Sequence, residues 1–344
     1  MAFLDGKSVL ITGGTGSFGK AFIDAALKGH NPRRLIVFSR DELKQHEMQQ
    51  DPRFAGLDKL RYFLGDVRDG QRLRRAFTAV DLVVHAAALK QVPAAEYNPF
   101  EAIKTNVLGA QNVVDAAIDA GVDRVIALST DKAAAPLNLY GATKLCSDKL
   151  FVSGNFYAGG TDTAFSVVRY GNVLGSRGSV VPLFLKRRST GTLPVTDVRM
   201  TRFWITLQQG VDFVLRCLED MAGGELFVPK IPSMRMVDVA RAIAPDAKIQ
   251  FVGIRAGEKL HEVMVPEDDA RSTLELTDRF VILPSDRWAR HDRWREVGKP
   301  CAEGFRYASD TNDQWLTAAQ MRALIAALDL PEAAGFAREV RSAA

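Results

Sequence analysis

Cysteine and histidine are both scarce in this chain of 344 residues. Its three cysteines, Cys146, Cys217 and Cys301, are odd in number and far apart, so they offer neither a disulfide framework nor the spacing of zinc ligands. The five histidines are scattered, without a pair at helical spacing, which argues against a metal centre. They are His30, His46, His85, His261 and His291. We therefore expect reduced thiols and no metal site.

Long apolar runs and low-complexity blocks are also missing. No stretch reaches the roughly 18 consecutive apolar residues of a membrane span, and Met1–Lys7 lacks the basic and apolar regions of a secretory leader. The formal charge of +4 is modest. The basic stretches 72–75 and 287–295, the second with Trp288 and Trp294, make only a weak case for a nucleic-acid surface. We expect a soluble, cytoplasmic protein that binds neither membrane nor nucleic acid.

What the sequence does contain is a regular alternation of short apolar runs with longer helical patterns. Apolar residues recur three and four apart between Asn98 and Ala120, which predicts an amphipathic helix. The alternation predicts an α/β fold with a doubly wound parallel (Rossmann) sheet and a smaller C-terminal substrate-binding lobe. The predicted strands are Val9–Ile11, Leu35–Phe38, Tyr62–Leu64, Leu82–His85, Val125–Leu128 and Phe165–Val168.

The pattern changes after Gly175, where it becomes irregular and richer in proline, glycine and arginine. We therefore assign residues 1–173 to the Rossmann domain. A helical stretch and an apolar run within 203–229 are expected to return to the sheet. Residues 174–202 and 230–344 would then form mainly the substrate-binding lobe.

A glycine-rich segment follows the first predicted strand and precedes a helix. Glycines at such positions permit a tight turn, close approach of the backbone to a pyrophosphate, and close packing of the helix on the sheet. The N-terminus of the helix then faces the anion. We predict a dinucleotide site here, formed by Gly13, Thr15, Gly16, Ser17, Phe18 and Gly19.

The second strand ends in residues that bear on the choice of cofactor. Arg40 follows Gly19 at close to the spacing of about 20 residues expected of the ribose-contacting position. A guanidinium suits the 2′-phosphate of NADP, whereas Asp41 keeps NAD open and could also be a helix N-cap. NADP is the preferred prediction. Further expected cofactor contacts are Ser39, Lys44, Asp66, Val67, Ala86, Ala87, Lys90 and Ser129.

A cluster of reactive side chains follows the predicted fifth strand. Ser129–Lys132 lie at its C-terminal end, where open α/β sheets place ligand chemistry. Tyr140 and Lys144 are four residues apart, so a helix places phenol and amine on one face. A nearby cation lowers the pKa of a tyrosine, which makes Tyr140 a candidate proton acceptor and cofactor neighbour together with Lys144. Asn106, within the predicted long helix, is expected to be a surface amide.

The glycine motif together with Tyr140 and Lys144 resembles the extended short-chain dehydrogenase/reductase superfamily. Within it, blocks along nearly the whole chain resemble the C5-inverting UDP-N-acetylglucosamine 4,6-dehydratases of pseudaminic acid biosynthesis. These blocks are 39–44, 95–99, 129–132, 138–144, 168–173, 200–205 and 255–262. The resemblance implies bound NADP, a UDP-sugar substrate, no metal, a role in flagellin glycosylation, and a homo-oligomer for which a hexamer is one candidate.

The residues fit that chemistry. Tyr140, with Thr130, would accept the proton of the C4 hydroxyl during oxidation, and the resulting ketone would acidify the hydrogen at C5. Lys132 could remove it if burial and nearby cations lower its pKa, and Asp131 could protonate the departing C6 hydroxyl. A UDP-sugar 4-epimerase, which needs only Thr130 and the pair Tyr140/Lys144, and a non-catalytic NADP-binding protein remain alternatives.

The resemblance also implies contacts to the UDP-sugar. Several of these residues are arginines, whose planar guanidinium matches the geometry of a phosphate. Each arginine alone could equally form a surface or interface salt bridge. The expected substrate contacts are Lys90, Asn172, Val173, Arg177, Arg199, Arg255 and Glu258.

Overall fold

The computed structural model describes residues 2–159, 161–176, 178–284 and 292–342. The strands of this part are β1 Ser8–Thr12, β2 Arg34–Ser39, β3 Leu60–Leu64, β4 Leu82–His85, β5 Arg124–Thr130, β6 Ala164–Tyr170, β7 Asn172–Val173, β8 Thr192–Val195, β9 Thr201–Ile205, β10 Leu226–Pro229, β11 Ser233–Arg235, β12 Lys248–Phe251, β13 Val263–Val265, β14 Thr273–Glu275, β15 Arg279–Ile282, β16 Lys299–Pro300 and β17 Tyr307–Ala308.

The α-helices of the same ranges are α1 Ser17–Gly29, α2 Glu42–Gln50, α3 Gly70–Phe77, α4 Val92–Tyr97, α5 Pro99–Ile103, α6 Gly109–Ala120, α7 Leu139–Tyr157, α8 Val180–Arg187, α9 Leu207–Asp220, α10 Met236–Ile243, α11 Asp292–Val297, α12 Ala318–Ala326 and α13 Ala333–Ser342. A π-helical turn spans Lys104–Leu108, and 3₁₀ turns span Asp131–Ala133, Arg188–Thr190 and Glu267–Ser272. None of the helices within the described ranges has the length and apolar character needed to cross a membrane.

The large sheet is built on seven mutually parallel strands, in the order β10-β6-β5-β4-β1-β2-β3. Strands β1, β4 and β6 are buried along their whole length, because helices cover both faces of a parallel sheet. All six strands expected from the sequence are present, and the α/β doubly wound fold is confirmed. The strand order reverses on either side of β1, which creates the crevice where such folds bind ligands.

Strands from later in the chain extend this sheet. β10 pairs with β6, so the apolar run within 203–229 does return to the sheet. β14, β15 and β16 then add an antiparallel edge, although 230–344 was expected mainly in the second lobe. A second apolar cluster packs apart from the sheet around Phe184, Trp204, Val239 and Met321. The division into two lobes stays a prediction.

The segment expected to be one helix from Asn98 to Ala120 is interrupted. Helices α5 and α6 are joined by the π-helical turn Lys104–Leu108. The Asn106 side chain accepts from the backbone N–H of Leu89 at 2.8 Å and donates to the Leu89 carbonyl at 2.9 Å and to Thr143 Oγ1 at 3.0 Å. Asn106 is buried, so the expectation of a surface amide was wrong.

Candidate active site

A long cavity runs along the carboxyl ends of the parallel strands and has a volume of about 1180 Å³. One wall comes from the loops after β1, β2, β3, β4 and β5. The opposite wall comes from residues of the second apolar cluster and from 255–259. The cavity is therefore long enough to be lined both by the glycine-rich loop and by the Tyr140/Lys144 face of α7.

The glycine-rich loop cannot hold side chains at its closest contacts. Gly13 has φ +67°, and a Cβ there would lie 3.0 Å from the Cα of Ala87. A Cβ on Gly19 would lie 2.5 Å from the Cα of Gly14, within the helix-to-strand contact. Helix α1 begins after Gly16, which has no side chain to cap the free N–H groups. The first residues of α1 line the cavity, and the free N–H groups of a helix N-terminus suit a pyrophosphate.

Two guanidiniums lie where the second and third strands end. Arg40 Nη1 is 3.5 Å and Arg68 Nη2 is 2.8 Å from the same Asp66 oxygen. Burial opposes ionisation of Asp66, but hydrogen bonds from Arg68 outweigh it and lower the pKa of this carboxyl. Asp41 is the N-cap of α2 and accepts from the Lys44 N–H at 3.0 Å. Arg40 lines the cavity, is 54% exposed and contacts Asp66 only at the long distance of 3.5 Å, so its guanidinium can also meet an anion.

The catalytic candidates follow directly on β5. Asp131 is fully buried, and its Oδ1 accepts hydrogen bonds from Thr130 Oγ1 at 2.9 Å and from Lys132 Nζ at 3.1 Å. Its Oδ2 is buried without a hydrogen-bond partner among the described residues. Thr130 and Lys132 line the cavity, whereas Asp131 lies behind them. Asp131 therefore reaches the cavity through these two neighbours.

Lys132 is flanked by two carboxylates. Besides Asp131, the Oε1 atom of Glu262 lies 3.3 Å from Lys132 Nζ. Burial disfavours the ammonium, but the negative charges of Asp131 and Glu262 outweigh burial and raise the pKa of Lys132 above its ordinary value. This direction is opposite to the one expected from the sequence, which assumed nearby cations. Arg202 is a nearby cation that acts to lower the pKa of Lys132, but its influence is smaller than that of the two carboxylates.

Tyr140 and Lys144 lie on the cavity side of α7, as expected. Burial raises the pKa of Tyr140 to about 12, although the charge of Lys132 and a hydrogen bond with Thr130 favour the phenolate. The expected decrease is thus not found, and the cation that acts on the phenol is Lys132. Burial likewise lowers the pKa of Lys144, opposed by Asp148.

Helix α7 is held against the turn that carries Lys132. Asn138 caps the helix by accepting from the Gly141 N–H at 2.8 Å, and it donates to the Gly257 carbonyl at 2.8 Å. A Cβ on Gly141 would collide with the carbonyl oxygen of Lys132. Only glycine therefore allows the helix to approach this closely, and the contact keeps the phenol of Tyr140 beside the end of β5.

The structure brings most of the predicted site residues into one cavity. The lining includes Gly13, Thr15, Gly16, Ser17, Phe18, Gly19, Ser39, Arg40, Asp41, Lys44, Asp66, Val67, Ala86, Ala87, Lys90, Ser129, Thr130, Lys132, Tyr140, Lys144, Asn172, Val173, Arg255 and Glu258.

The other two predicted substrate-binding arginines are Arg199 and Arg177. Arg199 lies outside this lining, because Asp197 binds its guanidinium through two contacts of 3.0 and 2.9 Å. Arg177 lies outside the described residues.

Five charged residues in the described part of the chain line the cavity without a predicted role: Lys20, Glu96, Arg202, Lys259 and Glu262. Glu262 and Arg202 lie beside Lys132, and the Lys259 amine donates a hydrogen bond to the carbonyl of Ala134. Glu262 and Lys259 belong to the sequence block 255–262, and Arg202 belongs to the block 200–205. The family resemblance therefore covered these residues, but no role was predicted for them. Within the described ranges, no cluster of histidine, cysteine or carboxylate side chains could hold a metal ion.

Comparison with known proteins adds independent information. The family described as "Polysaccharide biosynthesis protein" matches residues 9–284. The UDP-N-acetylglucosamine 4,6-dehydratase (inverting) of Campylobacter jejuni strain 81-176 is 53% identical over 329 residues, covering 93% of this chain and 98% of the relative. A Rickettsia conorii protein named UDP-glucose 4-epimerase is 38% identical, covering 95% of this chain and 97% of the relative.

Solved structures agree with the fold. Pen from Bacillus thuringiensis superimposes with a TM-score of 0.85 at 36% identity and covers 94% of this chain and 98% of its own. DesIV, a dTDP-glucose 4,6-dehydratase from Streptomyces venezuelae solved with NAD and TYD, gives a TM-score of 0.64 at 25% identity, with coverage of 74% and 86%. The overall fold thus has counterparts among solved structures.

Proposed function

We propose that this chain, which belongs to the polysaccharide biosynthesis protein family, is a UDP-N-acetylglucosamine 4,6-dehydratase that inverts C5. The product would be a UDP-2-acetamido-2,6-dideoxy-hexos-4-ulose. The observation that carries the proposal is a cavity lined by Lys132, Tyr140 and a dinucleotide-type glycine loop, with the buried Asp131 directly behind Lys132 and 3.1 Å from its amine. A UDP-sugar 4-epimerase would require the Tyr140 phenol but not the Lys132/Asp131 pair.

The cofactor proposed for this cavity is NADP. The loop of Gly13, Gly16 and Gly19 would hold its pyrophosphate, and Arg40 would bind the 2′-phosphate. Asp41 is engaged with α2 and Lys44, which supports NADP over NAD. When bound, the nicotinamide supplies the chemistry of hydride removal from C4 and hydride return to C6.

The side chains of this protein would move the protons. Tyr140, hydrogen-bonded to Thr130, would take the proton of the C4 hydroxyl. Elimination of water then requires a proton to leave C5 and another to reach the C6 hydroxyl. Lys132 Nζ and Asp131 Oδ1 lie 3.1 Å apart, so the Lys132 ammonium can first pass a proton to the Asp131 carboxylate. We assign removal of the C5 proton to the resulting neutral amine, and protonation of the C6 hydroxyl to the resulting Asp131 carboxyl, which reaches the cavity through Thr130 and Lys132. Tyr140 could share the removal at C5.

The UDP part of the substrate would occupy the wall opposite the sheet. Asn172, Val173 and Arg255 line this part of the cavity, and Glu258 accepts a hydrogen bond from the backbone N–H of Arg255 at 3.3 Å. Lys90 also lines the cavity, at the exit of β4. Arginine and lysine suit the pyrophosphate, and Glu258 suits a ribose hydroxyl. The names of the Campylobacter relatives support a UDP-sugar.

The proposal can be tested with purified protein, NADP and UDP-N-acetylglucosamine. Mass spectrometry should detect a product that has lost one water. A proton NMR spectrum of the product formed in deuterated water should show deuterium at C5 with inverted configuration. Products of unchanged mass would instead support the UDP-sugar 4-epimerase, which the 38% identical Rickettsia relatives favour. Binding of NADP without turnover would support the non-catalytic alternative.

The cellular role is proposed on the same basis. The product would enter pseudaminic acid synthesis for flagellin glycosylation, in the cytoplasm, without membrane or nucleic-acid partners. We also propose a homo-oligomer, with a hexamer as the size to test. Tyr97 and Phe100, on α4 and α5, are 87% and 59% exposed and support such an association. Light scattering on the purified protein measures the subunit number directly.

A further inference from the structure

Glu262 is a buried carboxylate at the reactive end of the cavity. It is 2% exposed, and its position directly before β13 brings it against the turn Asp131–Ala133. Its backbone N–H donates to Ser309 Oγ at 2.9 Å, which anchors the main chain. Its Oε1 atom lies 3.3 Å from Lys132 Nζ and 3.6 Å from Arg202 Nε. Its Oε2 atom is buried without a hydrogen-bond partner among the described residues.

Burying such a group costs free energy unless charge compensates it. The positive charge that compensates Glu262 comes from two residues. Lys132 lies nearer to Glu262, at 3.3 Å against 3.6 Å for Arg202, but Lys132 also contacts Asp131. Lys132 is therefore the centre of a three-charge cluster with two anions and one cation. The other charged or titratable groups that face the cluster are Arg202 from β9, Tyr140 from α7, and Lys259 from the segment before β13.

We propose that Glu262 is a positioning residue for the proposed dehydration: with Asp131, it holds the Lys132 side chain in place and keeps its amine protonated between turnovers. Without Glu262, Lys132 would keep only one of its two anionic contacts, the one with Asp131. The inference rests on the proposed function for its catalytic meaning. The contact between Glu262 and Lys132 can nevertheless be tested without any turnover.

The first experiment measures the protonation of Lys132 in the absence of substrate. Lysine side chains are labelled with nitrogen-15 at Nζ, the Lys132 signal is assigned from Lys132→Met, and the wild type is titrated by NMR. The midpoint should lie above the ordinary lysine pKa of about 10.4. Glu262→Gln should lower the midpoint by about 1–3 units, because one opposite charge within contact distance is removed. A wild-type midpoint below the ordinary value would overturn the proposal, even if the variant fails to fold.

The second experiment measures dehydration against pH. The limb of the profile that depends on Lys132 should move to lower pH in Glu262→Gln, whereas Glu262→Asp, which keeps the charge, should leave it near the wild-type position. Glu275→Gln is the matched control, because Glu275 pairs with Lys230 away from the cavity. If the rate of Glu262→Gln falls equally at every pH and the limb does not move, Glu262 has only a structural role and the proposal is wrong. An inactive wild type would contradict the proposed function and leave the NMR result to decide the contact.

Discussion

Lys132 and Asp131 are neighbours in sequence, and their Nζ and Oδ1 atoms lie 3.1 Å apart although the backbone turns between them. Both residues belong to the short 3₁₀ turn Asp131–Ala133 that follows β5. One partner is fully buried and the other lines the cavity. The pair can therefore pass a proton between the protein interior and a bound sugar.

Replacing Lys132 tests the elimination step. Lys132→Ala should lower the rate of dehydration by about 10²–10⁴-fold, the usual contribution of a positioned acid or base. Binding of NADP should persist, because Lys132 is not among the residues proposed to hold the cofactor. The control is Lys186→Ala, since Lys186 is exposed and pairs with Glu332. Near-normal turnover of Lys132→Ala, measured by mass spectrometry, would remove Lys132 from the proposed chemistry.

The raised pKa of Tyr140 predicts that the free energy of unfolding depends on pH. Its pKa is raised from the ordinary value of about 10 to about 12, so the folded state favours the neutral phenol. The stabilisation is present below the unfolded pKa and is lost as pH rises from about 10 to about 12. Wild type should therefore lose more unfolding free energy in this window than Tyr140→Phe does. Denaturant titrations of both proteins across the window measure the difference, and parallel losses would contradict the prediction.

The proposed preference for NADP depends on Arg40. Arg40→Ala should weaken NADP binding by about 10–100-fold, the effect of losing a charge-assisted hydrogen bond, and should change NAD binding little. Arg53→Ala is a suitable control, because Arg53 is an exposed arginine that binds Asp51 away from the cavity. Calorimetric titration with both cofactors gives the two affinities. Equal weakening for NAD and NADP would mean that Arg40 contacts something other than the 2′-phosphate.

The glycine loop can be probed with a pair of identical substitutions in one helix. Gly19→Ala should lower the melting temperature and weaken cofactor binding, because the new Cβ would lie 2.5 Å from the backbone of Gly14. Gly29→Ala should stay within about 1 kcal/mol of wild type, since a Cβ there meets nothing within 4 Å. Similar melting temperatures for the two variants would show that the loop tolerates a displacement of α1.

Much of the fold and the cofactor loop follows from local pattern. Short apolar runs such as those of β1 and β6 are buried on both faces, so hydrophobicity alone marks them as parallel strands. The spacing of Tyr140 and Lys144 places them on one face of α7 because a helix repeats every 3.6 residues. In each case, the information lies within a few neighbouring residues.

The environment of Lys132 depends on packing between distant segments. Glu262 reaches Lys132 because β13 packs on the turn after β5, and this contact reverses the expected direction of the Lys132 pKa. Asn106 is buried because the loop after β4 returns over its helix, and Arg199 is held by Asp197 rather than by the cavity. The sequence by itself determined the six central strands, the glycine loop and the shared helix face of Tyr140 and Lys144. Only the tertiary structure decided their charges and contacts, because electrostatic interactions depend on distances in space that spacing along the chain does not specify.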